Sequence, residues 1–130
     1  MACEFSSAGI SVITYNMYGY NQGVNSIFDI IDTLNPDIFL LQEYWLTPAN
    51  LVKFNVDFKM YYPFGSSAMN DAVAAGPLYG RPYGGLMTLV KSTFMPICSC
   101  IVATERYSIT MLGDLLLINV YLPCSGSENI

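Results

Sequence analysis

The sequence predicts an α/β fold that opens with a βαβ unit and continues as a mostly antiparallel meander. Three observations predict it. Apolar spacing is strand-like over 10–16, helical over 22–34 and continuous over 37–41. Past residue 85, four further apolar runs are separated by turn signals rather than by helical stretches. Apolar residues make up 53% of the chain and charged residues only 12%, so a core is affordable and disorder is excluded.

The first strand is ISVITYN, 10–16, rich in β-branched and aromatic residues. In 22–34, Val24, Ile27, Phe28, Ile31 and Leu34 share one helical face, with Asn25, Asp29 and Asp32 opposite. Asn35-Pro36 ends this helix, because the residue before proline is pushed out of helical geometry. DIFLLQE, 37–43, then reads as a strand. Short links make the crossover right-handed and the two strands parallel, and the continuous apolar run implies cover on both faces. Residues 54–62 read as a short strand and 65–85 as a Gly-, Ala- and Ser-rich loop ending in GRPYGG. The runs 86–90, 96–103, 105–112 and 114–122 form the meander, with Gly113-Asp114 as one of its turns.

Composition removes several chemistries. The chain has no histidine, so it forms no Ser-His-Asp triad, Cys-His pair or His-ligated zinc site by itself. Its four cysteines, Cys3, Cys98, Cys100 and Cys124, lack CxxC spacing and read as free thiols of the core. Ten acidic against five basic residues leave a net charge of −5, a poor footprint for a stand-alone nucleic-acid binder. Phosphate chemistry here has to run through a cation. The opening MACEFSSAG carries an acid where a signal peptide is basic, and no apolar run approaches a membrane span. An intracellular location, nuclear or cytoplasmic, is therefore expected.

Ligands of open sheets gather at the carboxyl ends of parallel strands, where Asn16 and Glu43 stand. Neighbouring strands are roughly 4.8 Å apart, so both side chains reach one small ligand. A carboxylate and an amide suit magnesium, a hard cation that takes oxygen ligands. The ordinary alternatives are an asparagine opening a turn and a solvated glutamate. Arg81, in GRPYGG, is a weaker candidate for clamping a phosphate; the glycines around it lack a phosphate-loop pattern and suit a tight turn. Tyr121, one of ten tyrosines, reads from position alone as core.

ITYNMYGYN (13–21), the following helix and PDIFLLQEYWL (36–46) resemble the opening of the endonuclease/exonuclease/phosphatase superfamily. GRPYGGLMTLV (80–90) and LLINVYLPC (116–124) extend the resemblance over nearly the whole chain, and it looks most like the endonuclease domain of non-LTR (LINE-type) retrotransposons. The resemblance implies a DNase I-like four-layer α/β sandwich, here an incomplete N-terminal half. It implies that Asn16 and Tyr121 are catalytic and that Glu43 holds Mg2+, with Mn2+ as the alternative ion. DNA is the implied partner in the intact domain. Tyr18 stands where some members have an acid and Cys124 where some have an asparagine, both in keeping with the retrotransposon branch. The family's later GDxN segment and its final Asp-His pair have no counterpart.

Residues 1–130 are thus expected to form one truncated domain, inactive alone, with one sheet face left open for the missing C-terminal half or for self-association. Two alternatives accompany the endonuclease reading. One is another phosphoesterase of the same fold, of sphingomyelinase or inositol-phosphate phosphatase type; the other is a non-catalytic remnant.

Overall fold

A computed structural model describes residues 2–7, 9–66 and 84–122. The elements are β1 (Ala2–Ser7), β2 (Ile10–Asn16), α1 (Tyr20–Leu34), β3 (Ile38–Gln42), α2 (Val52–Asp57), β4 (Tyr61–Ser66), β5 (Leu86–Lys91), β6 (Cys98–Ala103), β7 (Tyr107–Leu112) and β8 (Leu115–Val120). Short 3-10 turns span Pro48–Asn50 and Ser92–Ile97. The strands form a five-stranded sheet in the order β1-β2-β3-β5-β4 and a three-stranded sheet in the order β6-β7-β8.

The βαβ unit forms as expected, with β2 and β3 parallel and Asn16 in register with Gln42. Helix α1 ends at Asn35, whose left-handed backbone (φ 44°) lets its N–H reach the Ile30 and Ile31 carbonyls. The helix turns the expected face inward but slightly rotated: Ile27 is buried and Val24 and Ile31 pack against the core. Tyr20, Gly23 and Ile27 are buried, whereas Phe28 and Leu34 are exposed. Gly23 sets that rotation, since a Cβ there would lie 2.7 Å from the Met17 carbonyl oxygen. The helix therefore presses directly on the backbone just past Asn16.

Strand β3 shows what its continuous apolar run means. Phe39 and Leu41 join Ile27, Phe54 and Leu89 in the core beneath the helices. Ile38 faces the other way, with Val90, Leu112 and Leu117, into the core between the sheets. Helices, first sheet and second sheet make three layers of the DNase I-like sandwich, a partial form of that fold.

Three expectations need correction. Residues 54–62 are not a strand: α2 covers 52–57 and β4 begins at Tyr61. Phe54, Val56, Phe58 and Met60 alternate like a strand, yet only Phe54 and Phe58 are buried, and that pair lies one helical turn apart. The edge strand β1, antiparallel to β2, was not expected, because ACEFSS contains no β-branched residue.

The third correction concerns the meander. The run from Leu86 lies inside the first sheet, antiparallel to both β3 and β4. The turn containing Pro96 then carries the chain across to β6, β7 and β8. These strands cover the first sheet, so the sheet face expected to stay open is closed by a second sheet. The open apolar face lies instead on the outside of the second sheet, where Leu116, Ile118 and Val120 are exposed. Of the cysteines, Cys98 packs against the inter-sheet core, while Cys100 is an exposed free thiol rather than a core one.

Candidate active site

The backbone beyond the two parallel strands stays paired, which fixes where Asn16 and Glu43 point. Met17 N–H donates to the Gln42 carbonyl, Gly19 N–H to Glu43 and Tyr20 N–H to Tyr44, each at 2.8 Å. On the other side Glu43 N–H donates to the Gly85 carbonyl at 2.8 Å, and Trp45 N–H to Gly84 at 3.0 Å. The glycines that end GRPYGG hold backbones that other residues rarely adopt: Gly84 and Gly85 have φ of 64° and 104°. Gly85 also lies against the Tyr44 ring, leaving no room for a Cβ. Burial pushes the Tyr44 phenol well above the ordinary tyrosine range.

Three non-glycine residues of this ridge have left-handed backbones: Tyr18 (φ 52°), Glu43 (φ 55°) and Trp45 (φ 56°). Each such conformation costs about 1–3 kcal/mol. Strain of this kind persists where the surrounding hydrogen bonds impose it, and here it turns Glu43 out of the strand pleat.

The Glu43 carboxylate is the centre of the site. Asn16 Nδ2 donates to Glu43 Oε2 at 2.8 Å. Tyr121 Oη donates to Glu43 Oε1 at 3.3 Å. Asn16 Oδ1 accepts the Tyr18 N–H at 3.0 Å, which fixes the orientation of the amide. The structure therefore brings Asn16, Glu43 and Tyr121 together, with Tyr121 arriving just past β8, so the site lies at the seam of the two sheets. Asn16 turns its oxygen to the Tyr18 N–H and its nitrogen to Glu43, an arrangement that orients the carboxylate. Arg81 lies outside the described residues.

Sequence reasoning missed Asn119. It is 1% exposed and crosses between the sheets, its Nδ2 reaching the Leu41 carbonyl at 3.0 Å and the Met87 carbonyl at 3.2 Å. Gln42 Nε2 reaches Asn119 Oδ1 at 2.9 Å and Thr14 Oγ1 at 3.1 Å. Asn119 thus fastens the residue before Glu43 to the strand that carries Tyr121. Its signal was a polar side chain inside LLINVYL, where a strand core expects none.

A divalent cation fits this donor set. Both groups bonded to the Glu43 side chain are neutral donors, so among the described residues no ion pair competes with a metal for it. The Lys91–Asp37 ion pair lies at the opposite end of β3. Among the described residues no cluster of three His, Cys, Asp or Glu gathers that would form an all-protein metal cage. Magnesium does not need one, since it is commonly held by one or two carboxylates plus waters and substrate phosphates.

Solved structures share this partial fold. The 3′ phosphatase NExo from Neisseria bound to product DNA hairpin matches at 16% identity and a TM-score of 0.59, covering 85% of this chain and 40% of that one. The 3′-5′ exonuclease NExo from Neisseria meningitidis matches at 17% identity and a TM-score of 0.57, with 85% and 40% covered. The AP endonuclease LMAP from Leishmania major matches at 18% identity and a TM-score of 0.61, with 86% and 40% covered. This chain thus spans about 40% of the length of those structures. No curated protein matches the sequence. The model of the Endonuclease/Exonuclease/phosphatase family matches residues 13–120, and the chain belongs to that family.

Proposed function

We propose that the chain is the N-terminal part of a magnesium-dependent phosphodiesterase whose intact domain nicks DNA by hydrolysis, as retrotransposon-type endonucleases do. One observation carries the reading: Asn16, Glu43 and Tyr121, from both sheets, meet through hydrogen bonds on a single carboxylate. The nucleic-acid part draws on the neighbour bound to a DNA hairpin. The retrotransposon part draws on the run of motifs from ITYNMYGYN to LLINVYLPC. A nuclear or cytoplasmic site of action belongs to the same proposal.

Glu43 would hold Mg2+, or Mn2+ in its place. A bound ion supplies charge stabilisation at phosphoryl oxygens and eases deprotonation of water. Asn16 fixes the Glu43 rotamer through Nδ2 while the Tyr18 N–H fixes Asn16 in turn, so the carboxylate is oriented before substrate arrives. Tyr121 brings a phenolic donor to the same point, suited to a phosphate oxygen. The chain has no histidine, and each of these three groups already binds, orients or donates. Activation of water falls in this proposal to the portion of the fold that the chain does not span.

The test is relaxation of supercoiled plasmid by the purified chain in Mg2+. We expect no nicking above background. Robust nicking that Glu43→Ala abolishes would support the site and show that this portion activates water by itself. Robust nicking that survives Glu43→Ala would contradict the site.

A further inference from the structure

Resting on that phosphodiesterase reading, we infer that Tyr18 and Trp45 form a stacking platform for a nucleobase beside the phosphate site. Their placement is symmetrical about the site. Tyr18 lies two residues after Asn16 and Trp45 two residues after Glu43. Their ring centroids are 5.0 Å apart with planes inclined at 53°. Both residues hold left-handed backbones, so the aromatic pair and the carboxylate are set by the same strained ridge.

Tyr18 is exposed, Trp45 is half-buried, and both are braced. Tyr18 is 68% exposed, which is unfavourable for a ring unless something covers it. Its N–H is tied to Asn16 Oδ1, and the Trp45 N–H is tied to Gly84. Trp45 also rests on Gly19, where a Cβ would meet Trp45 Cε3 at 2.8 Å. A bare Gly19 thus lets the indole lie close to the backbone leaving β2. Rigid rings beside a carboxylate that would seat a phosphate-binding cation suit a ligand that carries a phosphate and a flat apolar face together, and a nucleotide is that ligand. Inositol phosphates have no such face. A quaternary ammonium such as phosphocholine is bound by aromatic cages, but two inclined rings provide a slot rather than a box.

Trp45 is the single tryptophan of the chain, so its emission reports on the platform directly. The probes are an oligothymidylate, an abasic oligonucleotide of equal length, inositol phosphate and phosphocholine, each titrated in Mg2+. We expect oligothymidylate to quench Trp45 and the other three to leave it unchanged. Tyr18→Ala should weaken oligothymidylate binding by about five- to a hundredfold without altering abasic binding, and Tyr18→Phe should restore it. Equal affinity for both oligonucleotides without quenching overturns the platform, as does quenching by phosphocholine. Abasic binding lost in Glu43→Gln would then leave the phosphodiesterase reading intact. Quenching and affinity that persist unchanged in Glu43→Gln would instead sustain the platform and count against Glu43.

Discussion

β5 and β8 are similarly apolar strands with opposite burial. In LMTLVK every residue but the last is buried. In LLLINV only Leu117 and Asn119 are buried. The difference lies in their neighbours: β5 is flanked by β3 and β4 in a sheet with helices on one side and the second sheet on the other. Among the described residues, only the inner side of the second sheet is covered. Its polarity is also inverted. Ser108, Thr110 and Asn119 are buried, and Met111, Leu116, Ile118 and Val120 are exposed. A sheet with one face in water normally alternates the other way, so apolar content records how many faces a strand is built to cover rather than how many are covered here.

The largest effect should come from the doubly covered sheet. Phe39 is fully buried, its ring 5.5 Å from that of Tyr61. Phe39→Ala should cost about 3–5 kcal/mol, read as a drop in the urea midpoint. A cost below that of an exposed substitution would show that the helix-side core is loosely formed. Next comes the contact that joins the two sheets. Asn119→Ala removes the partner of the Leu41 and Met87 carbonyls and of Gln42, and should cost about 2 kcal/mol. It should also weaken metal binding at Glu43, which a purely structural contact remote from the site would not do.

The smallest effect on stability should come from the open face. Ile118 is 50% exposed, and Ile118→Lys should change stability by no more than about 0.5 kcal/mol. Apolar side chains exposed side by side on one sheet face favour association between copies of the chain. Sedimentation should then show the parent chain self-associating and Ile118→Lys shifting toward monomer. A clean monomer for both would break the comparison.

Legibility in the sequence followed the same division. The βαβ unit was readable because its signals are local: the change of period, the Asn35-Pro36 stop and the apolar run of β3. The meeting of Asn16 and Glu43 was readable for the same reason, as polar residues closing two adjacent strands. What escaped depended on distant contacts. The meander split into two sheets because β5 pairs with β3 and β4, which no neighbouring residue announces. The helix at 52–57 hid behind an alternation whose Val56 and Met60 are solvent-exposed. Asn119 acts on residues far from it in sequence, so only the folded chain reveals what it holds.

The central claim is that Glu43, oriented by Asn16 and Tyr121, is a seat for a divalent cation. Paramagnetic resonance of free Mn2+, titrated with the chain, tests it without requiring turnover. One Mn2+ site displaced by Mg2+ is predicted, lost in Glu43→Gln and weakened in Asn16→Ala, with circular dichroism unchanged. Mn2+ binding undiminished in a folded Glu43→Gln chain would contradict it.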